Sequence, residues 1–442
     1  MTEREFSIDV VRRLRQGGFE ALWAGGCVRD QLMGREPHDF DVATDARPEQ
    51  VQRLFPRTIA VGASFGVIEV IGPRVAGDHL KVQVATFRTD NSYSDGRRPD
   101  SVTFCSSRED ALRRDFTING MFFDPLENKL IDYVGGQADL QTKTLRAIGE
   151  PRERFTEDKL RMLRAVRFAA RFEFQVDPNT AMAIHEMAGE VVVVSAERIA
   201  EELRKLLVDR QRARAVRLLD EVQLVKPILP ELLPMREVPH DLVGVDTGDL
   251  WQHTLAVIER LPENVSFPLA FAALLQNVGK SRAFKRQGER AGFQGHERFG
   301  RDAAGRIGER LRLSNAERER IEWLVEKHQS LVQAPNMRPS RLKPVLAHEG
   351  IDELFTLHRA DALASGKPLA HLEFAETKLR EWSAKGELNP PPLLTGDDLK
   401  AMGLTPGPHF KRMLDAVRNG QLDGTIRTVD QAQDLVLSMT TS

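Results

Sequence analysis

Two aspartates separated by a single residue are candidate metal ligands. Asp39 and Asp41 flank Phe40 in a stretch of strand-like residues, and side chains at i and i+2 of a strand point to the same side. Two carboxylates on one face suit Mg²⁺, which prefers a few oxygen ligands together with substrate phosphate. Two such ions, about 3.5–4 Å apart, would clamp the attacking and leaving oxygens of a phosphoryl transfer.

A pair of glycines precedes these aspartates. Gly25 and Gly26 come just before a predicted helix that carries Arg29. A glycine turn at the start of a helix lets backbone N–H groups approach a triphosphate. The dinucleotide-binding fingerprint is not matched, because its third glycine is missing. Either piece alone is commonplace, but their combination with Arg29 favours a site for metal and phosphate.

Charged residues further along the chain suggest a way of reading a base. We expect one helix from Thr156 to Phe172, with Thr156 as its N-cap. Asp158, Arg161 and Arg164 then follow at steps of three residues and share an arc of about 120°. They can form a surface ion pair, or present acceptors and donors to the edge of a base. Spacing alone leaves both alternatives open.

The elements that must position these residues divide the 442-residue chain into a mixed first part and a helical remainder. Residues 1–145 combine a helix from Glu5 to Gly17 with short strand-like runs. The predicted strands are Glu20 to Trp23, Asp39 to Ala43, Gly66 to Ile71, Leu80 to Phe87 and Lys129 to Tyr133. Residues 146–442 are predicted to be almost all helical, because apolar residues recur there at helical spacing. The predicted fold class is α+β.

Composition describes a protein that can bury a core. Hydrophobic residues make up 41% and charged residues 29% of the chain. No apolar run approaches the ~18 residues of a membrane span, and the first residues lack the pattern of a signal peptide. Two cysteines, Cys27 and Cys105, cannot build a disulfide framework, so we expect a reducing, cytoplasmic environment and no membrane partner.

The net charge of −2 excludes a broadly basic protein that coats nucleic acid. Two short stretches differ from this average: residues 146–171 and residues 280–290 each carry a local net charge of +4. We expect the first to meet triphosphate or an RNA end. We expect the second, as part of a loop, to touch phosphates.

Five segments in order carry a resemblance to a known superfamily. They are Gly25–Gly34 with Asp39–Asp41, Arg113–Met121, Asp132–Leu140, Glu157–Phe168, and Glu197–Glu202. They resemble motifs A to E of class II tRNA nucleotidyltransferases, a superfamily of CCA-adding enzymes, their CC- and A-adding specialists, and bacterial poly(A) polymerases. The resemblance covers about residues 22–207, with weaker similarity beyond.

The resemblance implies four parts in an elongated protein. These are an N-terminal nucleotidyltransferase α/β head over residues 1–145, followed by an all-α neck over 146–230, an all-α body over 231–385 and an all-α tail over 386–442. The neck would carry the helix that selects the nucleotide, and the tail would bind tRNA.

The resemblance also implies an activity, which is template-independent addition of CMP and AMP to the 3′ end of tRNA. CTP and ATP would be the substrates, and pyrophosphate would leave by a two-metal mechanism. Asp39 and Asp41 would be the catalytic residues that bind Mg²⁺. The implied nucleotide-binding residues are Gly26, Arg29, Arg114, Asp115, Asn119, Asp158, Arg161, Arg164 and Arg167.

Individual roles follow from the same resemblance. Asp115 and Asn119 would meet the ribose, whereas Asp158 and Arg161 would form the amino-acid template that selects CTP or ATP. Glu157 is expected to support the site rather than to read the base. Gly120 departs from the usual alanine of motif B, and we expect little effect.

Two segments bear on which nucleotides are added. Residues 88–104 resemble the flexible loop that is linked to the switch from C to A addition, so a CC-only enzyme is disfavoured. Residues 61–67 lack the basic pair that bacterial poly(A) polymerases usually carry there. An A-adding specialist stays open, poly(A) polymerase is the weaker alternative, and the oligomeric state is not determined by the sequence.

A second set of residues is spaced as in an HD-domain phosphohydrolase. The set comprises His253, His296, His328 and Asp361, but Gln276-Asn277 replaces the metal-binding His-Asp pair. Neutral amides are much poorer ligands for a divalent ion, so we expect an HD-like body that has lost its metal chemistry. A metal phosphohydrolase is therefore the disfavoured alternative of another class, and a catalytically silent RNA-binding protein is a third.

Overall fold

The computed structural model describes residues 1–37, 39–62, 66–91, 101–242, 245–287 and 293–440. The chain divides into two compact units, Met1–Pro230 and Glu231–Ser442. Within the described ranges, no helix is long and apolar enough to cross a bilayer.

The first unit begins with a mixed region of strands and helices. Its strands are β1 (Ala21–Ala24), β2 (Asp41–Thr44), β3 (Thr58–Gly62), β4 (Val67–Val75), β5 (Asp78–Thr86), β6 (Arg88–Asn91), β7 (Ser101–Phe104), β8 (Phe122–Asp124) and β9 (Lys129–Ile131). The helices of this region are α1 (Glu3–Gln16), α2 (Gly26–Leu32), α3 (Pro48–Leu54), α4 (Ser107–Leu112) and α5 (Gly136–Gln141).

The rest of the first unit is mainly helical. Its helices are α6 (Pro151–Glu157), α7 (Leu160–Phe172), α8 (Pro178–Met187), α9 (Ala196–Leu207), α10 (Arg212–Glu221) and α11 (Val225–Ile228). The strands β10 (Thr144–Leu145) and β11 (Gln175–Val176) form a small parallel pair. Short 3₁₀ stretches occupy Thr117–Asn119 and Ala188–Val193, and a third, Pro230–Glu237, begins at the last residue of this unit.

Seven strands form one sheet in the order β3-β4-β5-β2-β1-β8-β9. The pairing of β2 with β5 is parallel, whereas the other pairings are antiparallel. Successive residues of β1 face opposite sides: Trp23 packs in a core with Val10 of α1, and Leu22 packs in a second core with Phe87. Burial on both faces makes β1 a rigid central strand, and its end leads directly into the Gly25-Gly26 turn.

The predicted elements of the mixed region are largely confirmed. Helix α1 starts slightly earlier than predicted, because the Thr2 hydroxyl accepts from the Glu5 N–H and the Glu5 carboxylate accepts from the Thr2 N–H. Strands β3 and β8 were not predicted. The expected flexible segment 88–104 has paired ends, since β6 and β7 are antiparallel, and its centre lies outside the described residues, as does the centre of segment 61–67.

The prediction of one helix from Thr156 to Phe172 is wrong, because the chain breaks between α6 and α7. Asp158 is extended, with φ −147° and ψ 105°, and its Oδ1 accepts from the Leu160 N–H at 3.0 Å. Short aspartate side chains compete in this way with helical hydrogen bonding. Thr156 is not an N-cap but lies inside α6, where its hydroxyl donates to the Arg152 carbonyl.

The second unit is predominantly helical. Its helices are α12 (Leu250–Glu259), α13 (Phe267–Leu275), α14 (Val278–Gln287), α15 (His296–Arg310), α16 (Asn315–Lys327), α17 (Pro339–Leu346), α18 (Ile351–Ala364), α19 (Ala370–Ala384), α20 (Gly396–Ala401), α21 (Pro408–Asp423) and α22 (Val429–Thr440). Strands β12 (Pro239–Leu242) and β13 (Val245–Asp249) form an antiparallel pair, and a 3₁₀ stretch covers Ser330–Asn336.

Glycine permits a close approach of two helices in this unit. A Cβ on Gly279 of α14 would lie 2.1 Å from the His296 carbonyl oxygen and 2.5 Å from the Gly300 amide nitrogen. The predicted loop over 280–290 is wrong for residues 280–287, because these residues are helical.

Near the C-terminus, a hydrogen bond connects α17 to α21. The Lys343 ammonium donates to the Leu422 carbonyl at 2.9 Å.

Candidate nucleotide-binding site

A cavity of about 540 Å³ in the first unit gathers most of the residues predicted to bind a nucleotide. Its size falls within the usual range for small-molecule sites. Five arginines and two aspartates contribute to a lining that consists of Gly25, Gly26, Arg29, Arg113, Arg114, Asp115, Asn119, Asp158, Arg161, Arg164 and Phe168. The excess of fixed positive charge suits a polyanion such as a triphosphate.

Gly25 shapes one wall of this cavity. Its φ of +73° lies in a region that side chains disfavour, and a Cβ there would meet the Arg114 guanidinium at 3.2 Å. Gly25 thus turns the chain from β1 into α2 and leaves room for Arg114. Gly26 is the first residue of α2 and also lines the cavity.

A buried network of hydrogen bonds joins three elements around the cavity. Arg164 of α7 donates to Asp115 Oδ2 from Nε at 2.9 Å and from Nη2 at 2.6 Å. Asn119 Nδ2 donates to Asp115 Oδ1 at 3.1 Å, and Arg29 Nη1 donates to Asn119 Oδ1 at 2.7 Å. The Arg29 guanidinium also lies 4.5 Å from the ring centre of Phe172. These contacts place Arg29, Asp115, Asn119 and Arg164 together.

Asp110 holds the neighbouring arginines in place. Arg113 donates to its Oδ1, at 2.9 Å from Nε and 2.6 Å from Nη2, and Arg114 donates to its Oδ2, at 3.1 Å from Nε and 2.9 Å from Nη2. Burial raises the pKa of Asp110, but the two guanidinium groups more than offset this effect, so its pKa is lowered. Asp110 and Arg113 were not among the predicted site residues, although the forked pairing of a carboxylate with arginines at i+3 and i+4 is visible in the sequence.

The two predicted metal ligands lie at the start of β2 and outside the lining of the cavity. Asp41 is the first residue of β2, and Asp39 precedes the strand. Loss of hydration raises the pKa of Asp41; Arg114 opposes this shift, and the negative charge of Asp39 adds to it. The negative charge of Asp39 therefore acts on the Asp41 carboxylate, and a bound cation would offset it.

Asp158 and Arg161 do not pair with each other, contrary to one of the two alternatives that spacing allowed. Asp158 Oδ2 accepts from Arg198 of α9 at 2.7 Å. Arg161 Nη1 donates to Glu157 at 2.6 Å, and its Nη2 donates to the Arg113 carbonyl at 3.3 Å. Both residues line the cavity, and each has its own partner that fixes its direction. The Glu157 contact agrees with a supporting position.

Arg167 is the one predicted nucleotide-binding residue that the cavity does not include. Its side chain is buried, donates to Glu202 of α9 at 2.6 Å, and lies 4.2 Å from the ring centre of Phe168. Glu202 and Arg198 therefore connect α9 to the residues around the cavity. The resemblance marked both as parts of a motif, but no local pattern indicated their partners.

The positive stretch 146–171 is compensated by carboxylates. Each of its eight basic side chains forms an ion pair in the structure, and the partners are Asp115, Asp139, Asp177, Glu150, Glu157, Glu186, Glu190, Glu202 and Asp209. The local excess of charge in the sequence is thus not an equal excess of unpaired cations.

The HD-like residues lie together in the second unit. His253 Nε2 and Asp361 Oδ1 are 2.9 Å apart, and Gln276 Nε2 donates to the same oxygen at 3.3 Å. His296 Nε2 and His328 Nε2 are 3.4 Å apart. In the described part of the chain, no group of three or more His, Cys, Asp or Glu side chains is placed to hold a metal ion.

Comparison with known proteins identifies two regions that lie almost wholly in the first unit. Residues 21–146 match the poly A polymerase head domain, and residues 173–235 match a family described as a probable RNA and SrmB-binding site of polymerase A. A CCA-adding enzyme of Geobacillus sp. is 42% identical over 219 residues, which cover 49% of this chain and 53% of the relative. The matched part thus spans about half the length of the curated relatives.

Similar solved structures cover the whole chain. The Bacillus stearothermophilus CCA-adding enzyme in complex with CTP matches 100% of this chain and 98% of its own, with a TM-score of 0.64 and 26% identity. A Thermotoga maritima CCA-adding enzyme complexed with tRNA-CCA has the same fold, with a TM-score of 0.58 over 98% of this chain and 95% of that chain, at 19% identity.

Together with the ordered motifs, these matches support the resemblance of the chain to the class II tRNA nucleotidyltransferase superfamily. The named relatives are of its CCA-adding type.

The Asp115–Arg164 pair predicts a specific pH dependence of stability. Burial alone would raise the pKa of Asp115, but Arg164 and Asn119 hold it at about 2, below the ordinary 3.8. A lowered pKa stabilises the folded state above the unfolded value and loses this contribution as the pH falls from about 4 to 2. At pH 7 the contribution is about 2 kcal/mol.

The measurement is urea unfolding of the wild type and Asp115→Asn between pH 7 and pH 2. The variant should be less stable at pH 7, and the gap should narrow between pH 4 and pH 2. A constant gap over this range would show that ionisation of Asp115 does not stabilise the fold. Asp78→Asn, on an exposed residue at the start of β5, is the matched control and should change little.

Proposed function

We propose that the protein adds CMP and AMP to the 3′ end of tRNA from CTP and ATP, with release of pyrophosphate. The observation that carries this proposal is the single cavity that Gly26, Arg29, Asp115, Asp158 and Arg164 line together. These residues come from motifs A, B and D, which lie far apart in the chain. The similar proteins are CCA-adding enzymes, one of them in complex with CTP.

The proposal assigns the metal site to Asp39 and Asp41. The negative charge of Asp39 and the raised pKa of Asp41 fit a site that accepts a divalent cation. Two carboxylates leave further coordination positions for substrate phosphate and water, as Mg²⁺ prefers. When bound, Mg²⁺ would activate the attacking hydroxyl and stabilise the charge that develops on the α-phosphate.

Arginines of the cavity would bind and orient the triphosphate. Arg29 and Arg114 line the same wall as the Gly25-Gly26 turn, and each is held by hydrogen bonds to neighbouring groups. Preorganised donors lose little side-chain freedom on binding, so they hold the phosphates in the orientation needed for reaction. Asp115 and Asn119 would meet the ribose hydroxyls from the adjacent side of the cavity.

Base selection is assigned to Asp158 and Arg161. The carboxylate can only accept and the guanidinium can only donate, so the two side chains present opposite hydrogen-bonding character to a base edge. Arg198 holds Asp158, and Glu157 with the Arg113 carbonyl holds Arg161. Arg198 is proposed as a positioning residue that acts through Asp158. Arg167, buried against Glu202, is proposed to support α7 rather than to touch the nucleotide.

The remaining assignments follow the same proposal. Residues 1–145 form the catalytic head, 146–230 the neck, 231–385 the HD-like body and 386–442 a tail that binds tRNA. The match of residues 173–235 to a probable RNA-binding region supports RNA contacts from the neck. Cys27 and Cys105 form no disulfide, which supports the proposed cytoplasmic location.

An enzyme that adds only the final A is the alternative to full CCA addition. tRNA substrates of graded length distinguish these two activities. The substrates lack the last three, two or one nucleotides, and each is offered CTP and ATP separately and together. We expect the complete CCA sequence to be restored on all three and extension to stop there. Extension only of the tRNA that lacks its final A would establish an A-adding specialist, whereas long A tails would establish a poly(A) polymerase.

Asp39→Ala and Asp41→Ala should each lower incorporation of CMP and AMP by about a thousandfold or more. This loss corresponds to the several kcal/mol that a metal ion contributes to stabilising the transition state. The measurement is single-turnover extension of tRNA in Mg²⁺, with circular dichroism to establish that each variant is folded. Full activity in either variant would refute the metal assignment. Glu49→Ala, on the exposed face of α3, is the matched control and should retain activity.

Asp158→Ala should change the choice between CTP and ATP more than it slows the reaction. The ratio of kcat/KM values for the two nucleotides should approach one, because the acceptor that distinguishes the base edges is lost. Arg198→Ala should shift the ratio in the same direction by a smaller factor. Arg204→Ala, at a partly exposed position of the same helix α9, is its control. An unchanged ratio in Asp158→Ala would remove this residue from base selection.

A further inference from the structure

The second unit contains a cavity of about 700 Å³ that the proposed tRNA chemistry does not use. It is lined by Pro239, His240, Gly248, Lys280, Phe293, Gln294, His296, Glu297, Gln329 and Lys367. This volume is within the range that accommodates a small organic ligand. The lining is rich in hydrogen-bond donors and contains two lysines, so the cavity is suited to a polar, anionic molecule.

Lys280 is the unusual group in this lining. Lys280 is only 3% exposed, yet its ammonium group forms no hydrogen bond or ion pair with the residues that the structure describes. Buried ammonium groups are costly unless they are paired. Burial accordingly lowers the pKa of Lys280 to about 8, and its nearest aromatic contact is the Phe293 ring, 5.7 Å from Nζ.

Nearby acids do not neutralise this lysine. Asp361 attracts it, but the Asp361 carboxylate already accepts from His253 and Gln276. Glu297 also attracts it from the cavity lining, but its carboxylate lies 3.5 Å from the His296 ring and forms no ion pair with Lys280. Lys367, which is exposed at the same cavity, adds a second positive charge.

An imidazole group and an amide supply neutral donors around Lys280. Burial lowers the pKa of His240 to about 3, and it also lowers the pKa of His296. Both rings are therefore neutral at pH 7. His296 donates its single N–H from Nδ1 to the Phe293 carbonyl at 2.5 Å, so His240 is the ring that can donate to a ligand. Gln329 adds an amide donor. A phosphoryl group, with three acceptor oxygens and negative charge, matches this combination of one buried cation and neutral donors.

We propose that this cavity binds the phosphoryl group of a small phosphate ester of nucleotide size through Lys280, without a metal ion. Gln276 and Asn277 are neutral, buried amides that donate to Asp361 and Thr254, so they do not supply ligands for a metal ion. The proposal concerns binding alone and does not depend on the activity of the first unit.

The test is hydrogen–deuterium exchange of the full chain in EDTA, with 5′-AMP, inorganic phosphate or adenosine as probes. AMP and phosphate should protect peptides from α14 and α15, and adenosine should not. Lys280→Met should raise the AMP concentration for half-maximal protection by about tenfold or more, because a charged hydrogen bond is lost. Arg164→Met, in the first unit, should leave this protection unchanged.

Lys280→Met removes an unpaired buried charge and keeps side-chain length, so it should fold at least as well as the wild type. If it does not fold, Lys367→Met tests the same site, because Lys367 is exposed, and a several-fold weaker protection by AMP is expected. The proposal is overturned if AMP and phosphate protect neither helix, if adenosine protects as well as AMP, or if neither lysine variant weakens protection.

Discussion

The buried Asp115 carboxylate is the charge around which the nucleotide cavity is organised. It accepts two bonds from Arg164 and one from Asn119, and Asn119 in turn accepts from Arg29. One side-chain network thus joins helix α7, the 3₁₀ stretch Thr117–Asn119 and helix α2. Breaking a buried pair leaves an uncompensated charge, which costs far more than the intact pair gains over apolar packing. The geometry of the cavity consequently depends on all of these partners together.

Residue types and local spacing predicted a large part of this arrangement. The strands around Trp23 and Val42 were predicted from short β-like runs bounded by turn residues, and most residues that line the cavity were predicted from the ordered motifs. The cap at Thr2 was not predicted. The break at Asp158 did not follow, because arginine and glutamate before it and leucine, arginine and alanine after it favour a continuous helix. A single aspartate that bonds the Leu160 N–H overrides that preference. Its partner, Arg198, is 40 residues away, and no local pattern indicates such a contact.

The second unit shows a different division between what the sequence indicates and what it leaves out. The sequence itself predicts the loss of metal ligands, because Gln276-Asn277 replaces a His-Asp pair. The sequence does not predict the burial of Lys280, because a lysine on a helix normally faces solvent. The close packing of α14 on α15 at Gly279 places that lysine inside, a consequence of backbone contact rather than of any charge pattern.

The fully paired arginines of residues 146–171 change what an arriving phosphate must do. In a patch of bare cations, binding expels mobile salt ions into solution, and affinity falls steeply as salt is added. Here each guanidinium or ammonium group already has a carboxylate attached to the same protein. An incoming phosphate must therefore replace a protein carboxylate as the partner of the cation. Such an exchange favours a phosphate that is correctly placed over one that is merely negatively charged.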